Sequence, residues 1–184
     1  HSHTAQYRVE LLERSSLSGL KLSTVRQATE ALPSDLLELQ VRAVGLNFRD
    51  VLNVLGEYPG DPGPPGSDCS GTVVQVPARV SCSLAPHRNV LGFAEAPLAS
   101  VARADRRLVR LMPRSLSHEE ACTLPTTWCT VHMALRSASV HGDQKMLLHA
   151  AAGGVGLVGL EYLDWLKVRV FASAGARYKH CLLL

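Results

Sequence analysis

The sequence predicts an α/β plus β protein. A β-barrel-like domain is expected over about residues 1–115, followed by an incomplete, doubly wound α/β domain over about residues 116–184. Short apolar–polar alternations between turns rich in proline and glycine indicate the first domain. The order strand, glycine-rich turn, helix, strand indicates the second. With 184 residues, 46% of them hydrophobic and 19% charged, the chain has a globular composition.

The strands predicted for the first domain follow a two-residue period. The clearest lies over residues 36–47, where Leu37, Leu39 and Val41 alternate with polar side chains. Such alternation is typical of a strand that buries one face. Weaker strand patterns follow the same rule: "YRVELLE" over 7–13, "GTVVQV" over 71–76, "VLGFAEAPLASVARAD" over 90–105 and "RLVRLMP" over 107–113.

One short helix interrupts these strands. The stretch "NFRDVLNVLG", residues 47–56, has helical spacing, with an apolar side formed by Phe48, Val51, Leu52 and Leu55. Gly56 is placed to end the helix. The next residues, 58–71, are dense in proline and glycine and predict a loop, and a second loop is expected over about 77–89.

The second domain begins with a helix signal. Ser117 and Glu120 have the spacing of a capping box, and the helix is interrupted at Pro125 before it resumes over 127–138. A short apolar strand, "KMLLHA" over 145–150, leads through a small-residue turn into a helix over 155–167. A second strand, "VRVFASA", follows over 168–174. This order predicts one right-handed βαβ unit.

The turn between that strand and helix, within "HAAAGGVGLVG" over 149–159, matches most of the Gly-x-Gly-x-x-Gly dinucleotide motif. Alanine replaces the first glycine; the second would let the backbone approach a pyrophosphate, and the third would let the helix pack on the strand. The start of the helix would bind the phosphates. A small-residue turn chosen for packing is the alternative. The candidate cofactor-binding residues of the turn are Ala151, Gly153, Gly154, Val155 and Gly156.

The end of the second strand favours NADP(H) over NAD(H). An NAD site uses an acidic residue there for the ribose hydroxyls, but residues 171–180 contain no Asp or Glu. They contain Ser173, Arg177 and Lys179, of which the two basic side chains attract a 2′-phosphate. The alternative is that Arg177 and Lys179 only solvate the start of a helix.

Charge and cysteine content exclude several classes of function. A net charge of +3 requires no nucleic acid, and the arginine-rich stretch over 102–114 fits either a solvated strand face or a docking face for an acidic partner. The five cysteines include no Cys-x-x-Cys pair, which disfavours a disulfide framework or a zinc knuckle and fits the cytoplasm. No apolar run reaches the roughly 18 residues of a membrane span, and no secretory signal is visible.

Four stretches in order carry a family resemblance. The chain is similar, from about Val9 to its last residue, to the enoyl reductase domain of modular polyketide synthases and animal-type fatty acid synthases. These are zinc-free members of the medium-chain dehydrogenase/reductase superfamily, close to quinone oxidoreductases. The stretches are "VRAVGLNFRDVLNVLGEYPG", "GSDCSGTVVQV", "LPTTWCTVHMAL" and "LLHAAAGGVG".

The resemblance implies a GroES-like domain over 1–115 and the N-terminal part of a Rossmann NADP-binding domain over 116–184. It also implies hydride transfer from NADPH to the β-carbon of an enoyl thioester on an acyl carrier protein, beside neighbouring synthase domains. Asn47 and Thr130 would lie at the nicotinamide. Tyr58 would protonate the α-carbon or hydrogen-bond the thioester oxygen, and Lys179 would hold the cofactor phosphate or deliver a proton.

Some features depart from the family pattern. Pro77 stands where glycine is usual, and His87-Arg88-Asn89 replaces a Gly-Asp-Arg turn. The Cys-His pair of zinc-dependent relatives is absent, so no metal is expected. Only two Rossmann strands are predicted, so the domain is expected to be C-terminally truncated, with little or no turnover and any homodimer formed through the rest of it. A stand-alone quinone oxidoreductase-like enzyme and a degenerate structural domain of a megasynthase are the alternatives.

Overall fold

The computed structural model describes residues 5–25, 31–77, 84–181 and 183. The chain forms two compact units, His1–Pro125 and Thr126–Leu184, and each is described by itself. Most of the loop expected over 77–89, including Cys82, lies outside the described residues. The domain boundary expected after residue 115 stays a prediction.

The first unit is built on antiparallel strands. A hairpin pairs β1 (Gln6–Leu11) with β2 (Leu20–Val25). A five-stranded sheet has the order β6-β3-β4-β5-β7. Its strands are β3 (Leu36–Gly45), β4 (Asp68–Gln75), β5 (Asn89–Phe93), β6 (Val101–Asp105) and β7 (Val109–Leu111).

The core of this sheet confirms the two-residue period. Leu37 and Leu39 of β3 have no exposed surface, whereas the intervening Glu38 is only partly buried. Alternate residues of the neighbouring strands meet them in one cluster, because successive side chains of a strand point to opposite faces. The other buried members are Cys69, Val73, Leu84, Val90, Ala104 and Val109.

The helix α1 (Phe48–Leu55) confirms the helical spacing but turns its apolar side outward. Phe48 is 74% exposed and Val51 is 48% exposed. The opposite side buries Asp50 and Asn53, whose polar groups hydrogen-bond the loop that follows. The helix ends at Gly56, whose φ of 74° is in the left-handed region that favours glycine.

The helices that follow begin as the sequence predicts. Helix α2 (His118–Ala121) has the expected capping box, because the Glu120 amide donates to Ser117 Oγ (3.1 Å) and the Ser117 amide donates to the Glu120 carboxylate (2.8 Å). Helix α3 (Pro125–Ser137) has proline at its first position, where no intrahelical N–H bond is lost.

The second unit contains one βαβ arrangement. Strand β8 (Lys145–Leu148) pairs in parallel with β9 (Arg169–Ala172), and α4 (Gly154–Trp165) connects them. A four-residue helix, α5 (Arg177–His180), follows. The core of the unit joins α3, α4 and the strands through Val131, Leu135, Leu163 and Val168. The predicted strand–turn–helix–strand order is therefore confirmed.

Two cysteines of the first unit are shielded from solvent. Burial raises the pKa of the Cys69 thiol to about 12, and the neighbouring Asp68 carboxylate adds to the shift. Burial also raises the pKa of Cys122, which is 4% exposed. Cys129 and Cys181 are exposed. Since the thiolate is the nucleophile, the reaction of Cys69 and Cys122 is disfavoured both by their burial and by their raised pKa.

We therefore expect iodoacetamide at pH 8 to alkylate Cys129 and Cys181 in the folded chain much faster than Cys69 and Cys122. Peptide mass spectrometry of a time course measures the four rates. A sample unfolded in urea is the control, because all four thiols should then react at similar rates. Labelling of Cys69 as fast as Cys129 in the folded sample would contradict the buried position of β4.

Candidate functional site

The glycine-rich turn lies between the carboxyl end of β8 and the start of α4. Ala150 has a φ of 54°, and the Gly153 amide donates to its carbonyl at 3.0 Å. Gly153 is the N-cap of α4, and its carbonyl accepts the Leu157 amide at 2.8 Å. The turn therefore reverses the chain and aims the first amides of α4 outward from the strand end.

The start of α4 has the properties of an anion site. The first turn of the helix contains no acidic residue, and no side chain caps it. Gly153, Gly154 and Val155 are exposed. The first amides of a helix lack intrahelical acceptors and lie at the positive end of its dipole. They can donate to phosphate oxygens.

The glycines of the turn differ in what surrounds them. A Cβ at Gly153 would lie 3.4 Å from its nearest neighbour, and one at Gly154 would lie 3.9 Å from Thr127 Cγ2. A Cβ at Gly156 would lie 2.6 Å from Ala150 O and from backbone atoms of Ala151. Gly156 therefore packs the helix closely onto the turn, while a Cβ at either of the first two glycines would make only ordinary van der Waals contact.

The carboxyl ends of β8 and β9 bring His149 and Ser173 together. The parallel register pairs Leu148 with Ala172, so the next residues of both strands point to the same side. His149 Nδ1 and Ser173 Oγ share a hydrogen bond of 2.9 Å. The Ser173 amide donates to Leu148 O (3.0 Å), and its carbonyl accepts the Ala151 amide (2.9 Å).

His149 is absent from the sequence-predicted site residues. A signal for it exists, because the apolar runs of β8 and β9 align at an offset of 24 residues and each run ends in a polar side chain. Reading that offset requires the strand register, which the local pattern does not supply.

Basic side chains follow Ser173 at the same edge. Arg177 is exposed and Lys179 is partly buried on α5, with the Lys179 ammonium 5.9 Å from the centre of the Tyr178 ring. His180 Nε2 hydrogen-bonds Ala174 O at 3.0 Å. In the described part of the chain, no carboxylate forms an ion pair with Arg177 or Lys179.

The first unit places Asn47 at the start of α1. Its backbone amide donates to Asp50 Oδ2 at 2.8 Å. The other carboxylate oxygen, Asp50 Oδ1, accepts the buried Gly66 amide, also at 2.8 Å. Asp50 is 6% exposed, so one buried carboxylate joins the start of the helix to the loop that contains Tyr58.

Tyr58 is partly buried in that loop, which the polar side of α1 holds. Its amide donates to Leu52 O at 3.2 Å, and the Arg49 guanidinium lies 5.6 Å from the centre of its ring. Arg49 Nη2 donates to Pro62 O (2.6 Å), and Asn53 Nδ2 donates to Gly63 O (3.0 Å). Within the described residues, the Tyr58 hydroxyl makes no hydrogen bond, which leaves it available to a ligand.

Thr130 is exposed on α3 in the second unit. Asn47 and Tyr58 belong to the first unit, and the glycine turn with Ser173 belongs to the second. Over the described ranges, no three His, Cys, Asp or Glu side chains come together as a metal site. The same residues include no helix with the length and apolar character that crossing a bilayer requires.

The chain resembles part of several large synthases. No protein-family model matches it. It is 36% identical over 171 residues, 92% of its length, to the spectinabilin polyketide synthase system protein NorB of Streptomyces orinoci. Those residues are 8% of NorB, so the chain spans less than a tenth of this curated relative.

Solved structures match nearly the whole chain. The CurK enoyl reductase is 28% identical with a TM-score of 0.88, over 97% of this chain and 56% of that one. A mycobacterial quinone oxidoreductase and mycobacterial Rv1454c complexed with NADPH are each 27% identical, with TM-scores of 0.82 and 0.81, over 96% of this chain and 55% of theirs.

The chain is similar to the enoyl reductases and quinone oxidoreductases of the medium-chain dehydrogenase/reductase family. The family resemblance stated from the sequence is therefore confirmed, and so is the fold class, GroES-like followed by Rossmann. The chain is an oxidoreductase by lineage. It spans just over half the length of its solved enoyl reductase relative.

The packing of this reductase chain at Gly156 can be tested by adding a methyl group. We expect Gly156→Ala to lower the free energy of unfolding by about 1–3 kcal/mol, because its Cβ would overlap the backbone of the strand end. Thermal unfolding followed by circular dichroism measures the change. Gly154→Ala is the matched control, since its Cβ would make only ordinary van der Waals contact and the change should be close to neutral. Equal stability of both variants would contradict the close helix–strand contact.

The anchoring of the loop by Asp50 can be tested by removing the carboxylate. We expect Asp50→Ala to destabilise the first unit, because a buried amide left without its acceptor costs about 1–3 kcal/mol. Hydrogen-exchange mass spectrometry should show faster exchange over the loop that contains Gly66. Asp50→Asn keeps one carbonyl acceptor and should lose less. Unchanged exchange in Asp50→Ala would show that the carboxylate does not anchor the loop.

Proposed function

We propose that this chain serves the NADPH-dependent reduction of an enoyl thioester carried on an acyl carrier protein in polyketide or fatty acid synthesis. The observation that carries the proposal is the start of α4, which is exposed and has no acidic residue in its first turn. Ser173, Arg177 and Lys179 follow the neighbouring strand β9. A pyrophosphate and a 2′-phosphate are the anions that such an arrangement suits. The NADPH complex of mycobacterial Rv1454c adds support by analogy.

The residues of the second unit fit NADPH in two places. The amides at Gly154 and Val155 would donate to the pyrophosphate, and exposed Gly153, whose own amide donates to Ala150 O, would let the backbone approach it. Buried Ala151 and tightly packed Gly156 hold the turn in shape. NADPH supplies the hydride of the reaction when it is bound.

The 2′-phosphate would be held by Ser173, Arg177 and Lys179. The resemblance allows Lys179 either phosphate binding or proton delivery. Lys179 lies on α5, two residues from Arg177, and α5 follows the edge where Ser173 comes directly after β9. This place favours binding of the phosphate. The absence of a paired carboxylate among the described residues leaves both positive charges available.

The family resemblance assigns the reaction itself to three further residues. Asn47 and Thr130 would bind at the nicotinamide. Hydride reaches the β-carbon of the enoyl group, and the Tyr58 hydroxyl would donate the proton that the α-carbon takes, or hydrogen-bond the thioester oxygen. The Tyr58 hydroxyl makes no hydrogen bond within the described residues, and the Arg49 guanidinium lies 5.6 Å from the centre of its ring.

The partners follow from the same proposal. NorB contains the matched segment within a polyketide synthase system protein, which supports work beside other synthase domains and a carrier-bound substrate. Five cysteines without a Cys-x-x-Cys pair support the cytoplasm as the compartment.

Cofactor binding is the first test. We expect the 184-residue chain to bind NADPH more tightly than NADH, and the double variant Arg177→Ala/Lys179→Ala to lose about tenfold or more in NADPH affinity with little change for NADH. Reduced-nicotinamide fluorescence measures both titrations. Lys145→Ala/Arg169→Ala is the matched control, because it removes an equal charge at the opposite ends of β8 and β9. Equal affinity of the wild-type chain for both cofactors would overturn the NADPH assignment.

Reduction of an enoyl thioester is tested in a second experiment. NADPH carrying deuterium at C4 is incubated with the chain at high concentration and a crotonyl thioester. Deuterium at the β-carbon of a butyryl thioester supports the proposed reaction. Bound NADPH with no labelled product after long incubation would leave the cofactor assignment standing and would agree with the little or no turnover expected of this chain. Full turnover would contradict that expected impairment.

A further inference from the structure

The hydrogen bond between His149 and Ser173 suggests a role for His149, which is absent from the predicted site residues. We propose that His149 is a positioning residue that sets the cofactor preference of Ser173 through the hydrogen on its Nδ1 atom. The proposal rests on the proposed function, because it assumes that Ser173 faces the ribose of a nicotinamide dinucleotide.

The geometry limits what Ser173 can do. Both backbone groups of Ser173 are engaged, the amide with Leu148 O and the carbonyl with the Ala151 amide. Its side chain is therefore held at the carboxyl edge, where His149 Nδ1 is 2.9 Å from Oγ. The imidazole is exposed, so both of its tautomers are open to it.

The chemistry of a hydroxyl couples the two side chains. A serine hydroxyl has one hydrogen to donate and two lone pairs. If His149 Nδ1 carries a hydrogen, it donates to Ser173 Oγ, and the hydroxyl hydrogen is left for the ligand. If Nδ1 is bare, Ser173 donates to it and offers the ligand only lone pairs.

The two states suit different cofactors. A 2′-phosphate dianion only accepts hydrogen bonds, so it requires the hydroxyl hydrogen of Ser173 and therefore a hydrogen on His149 Nδ1. A ribose 2′-hydroxyl can donate to a lone pair of Ser173, so it can be bound when His149 Nδ1 carries no hydrogen. His149 thus selects the phosphate-bearing cofactor when Nδ1 carries a hydrogen. Arg177 and Lys179 attract the phosphate by their charge, but they do not control the hydroxyl of Ser173.

The test uses fragments that isolate the 2′-phosphate. Isothermal titration compares adenosine 2′,5′-bisphosphate with adenosine 5′-monophosphate on the wild-type chain and on His149→Phe. We expect the variant to lower the preference for the bisphosphate by about 2- to 3-fold, because the Ser173 hydroxyl can still donate to the phosphate but is no longer held in direction by Nδ1. His149→Asn should retain the wild-type preference, since its amide nitrogen lies near the position of Nδ1 and donates.

A double-variant cycle identifies the route of the effect. In a Ser173→Ala background, His149→Phe should change the preference no further, because His149 acts through that hydroxyl. Nitrogen-15 NMR of the histidine side chain adds a signature that a merely structural role would not move. Bisphosphate binding should shift Nδ1 of His149 to its protonated form, and monophosphate binding should not.

The outcomes separate this inference from the proposed function. A wild-type chain that does not prefer the bisphosphate overturns NADPH use itself. A wild-type preference that His149→Phe leaves intact overturns the role of His149 alone, as does an effect of equal size in the Ser173→Ala background. Circular dichroism confirms that each variant is folded before it is titrated.

Discussion

The parallel pairing of β8 with β9 is the constraint on which the candidate cofactor site depends. Its register, Leu148 opposite Ala172, brings the ends of both strands to one edge. Backbone bonds then continue beyond the strands, since the Ala151 amide donates to Ser173 O. The glycine turn and the polar end of β9 are therefore held by one ladder, and neither could keep its geometry without the other.

A different kind of constraint holds the candidate substrate side of the first unit. Helix α1 buries a carboxylate and an amide and exposes apolar side chains, the reverse of an ordinary surface helix. Burying Asp50 is costly unless its oxygens are hydrogen-bonded, and two backbone amides meet that need. Polar satisfaction thus contributes to the position of the loop that contains Tyr58, together with buried apolar residues such as Val54 and Pro65.

Periodicity predicted the elements of this chain well, because strand alternation in β3 and the βαβ order of the second unit are local properties of the sequence. The orientation of α1 could not be predicted that way, since it depends on Gly66, 16 residues from Asp50. The His149–Ser173 pair spans 24 residues and needs a register. The roles of Asn47, Thr130, Tyr58 and Lys179 stay predictions carried by the family resemblance.

The turn could have been built of small residues only so that a helix can pack against a strand. That explanation accounts for Gly156, where any Cβ would overlap the backbone of Ala150 and Ala151. It does not require Gly153 or Gly154, which are exposed and where a Cβ would make only ordinary van der Waals contact. Gly153 is the N-cap of α4, a position where glycine is common, but Gly154 begins the helix, where alanine is more favourable than glycine. The approach of a phosphate group to the first helix amides is the role that we propose for these two glycines, whereas packing explains the third.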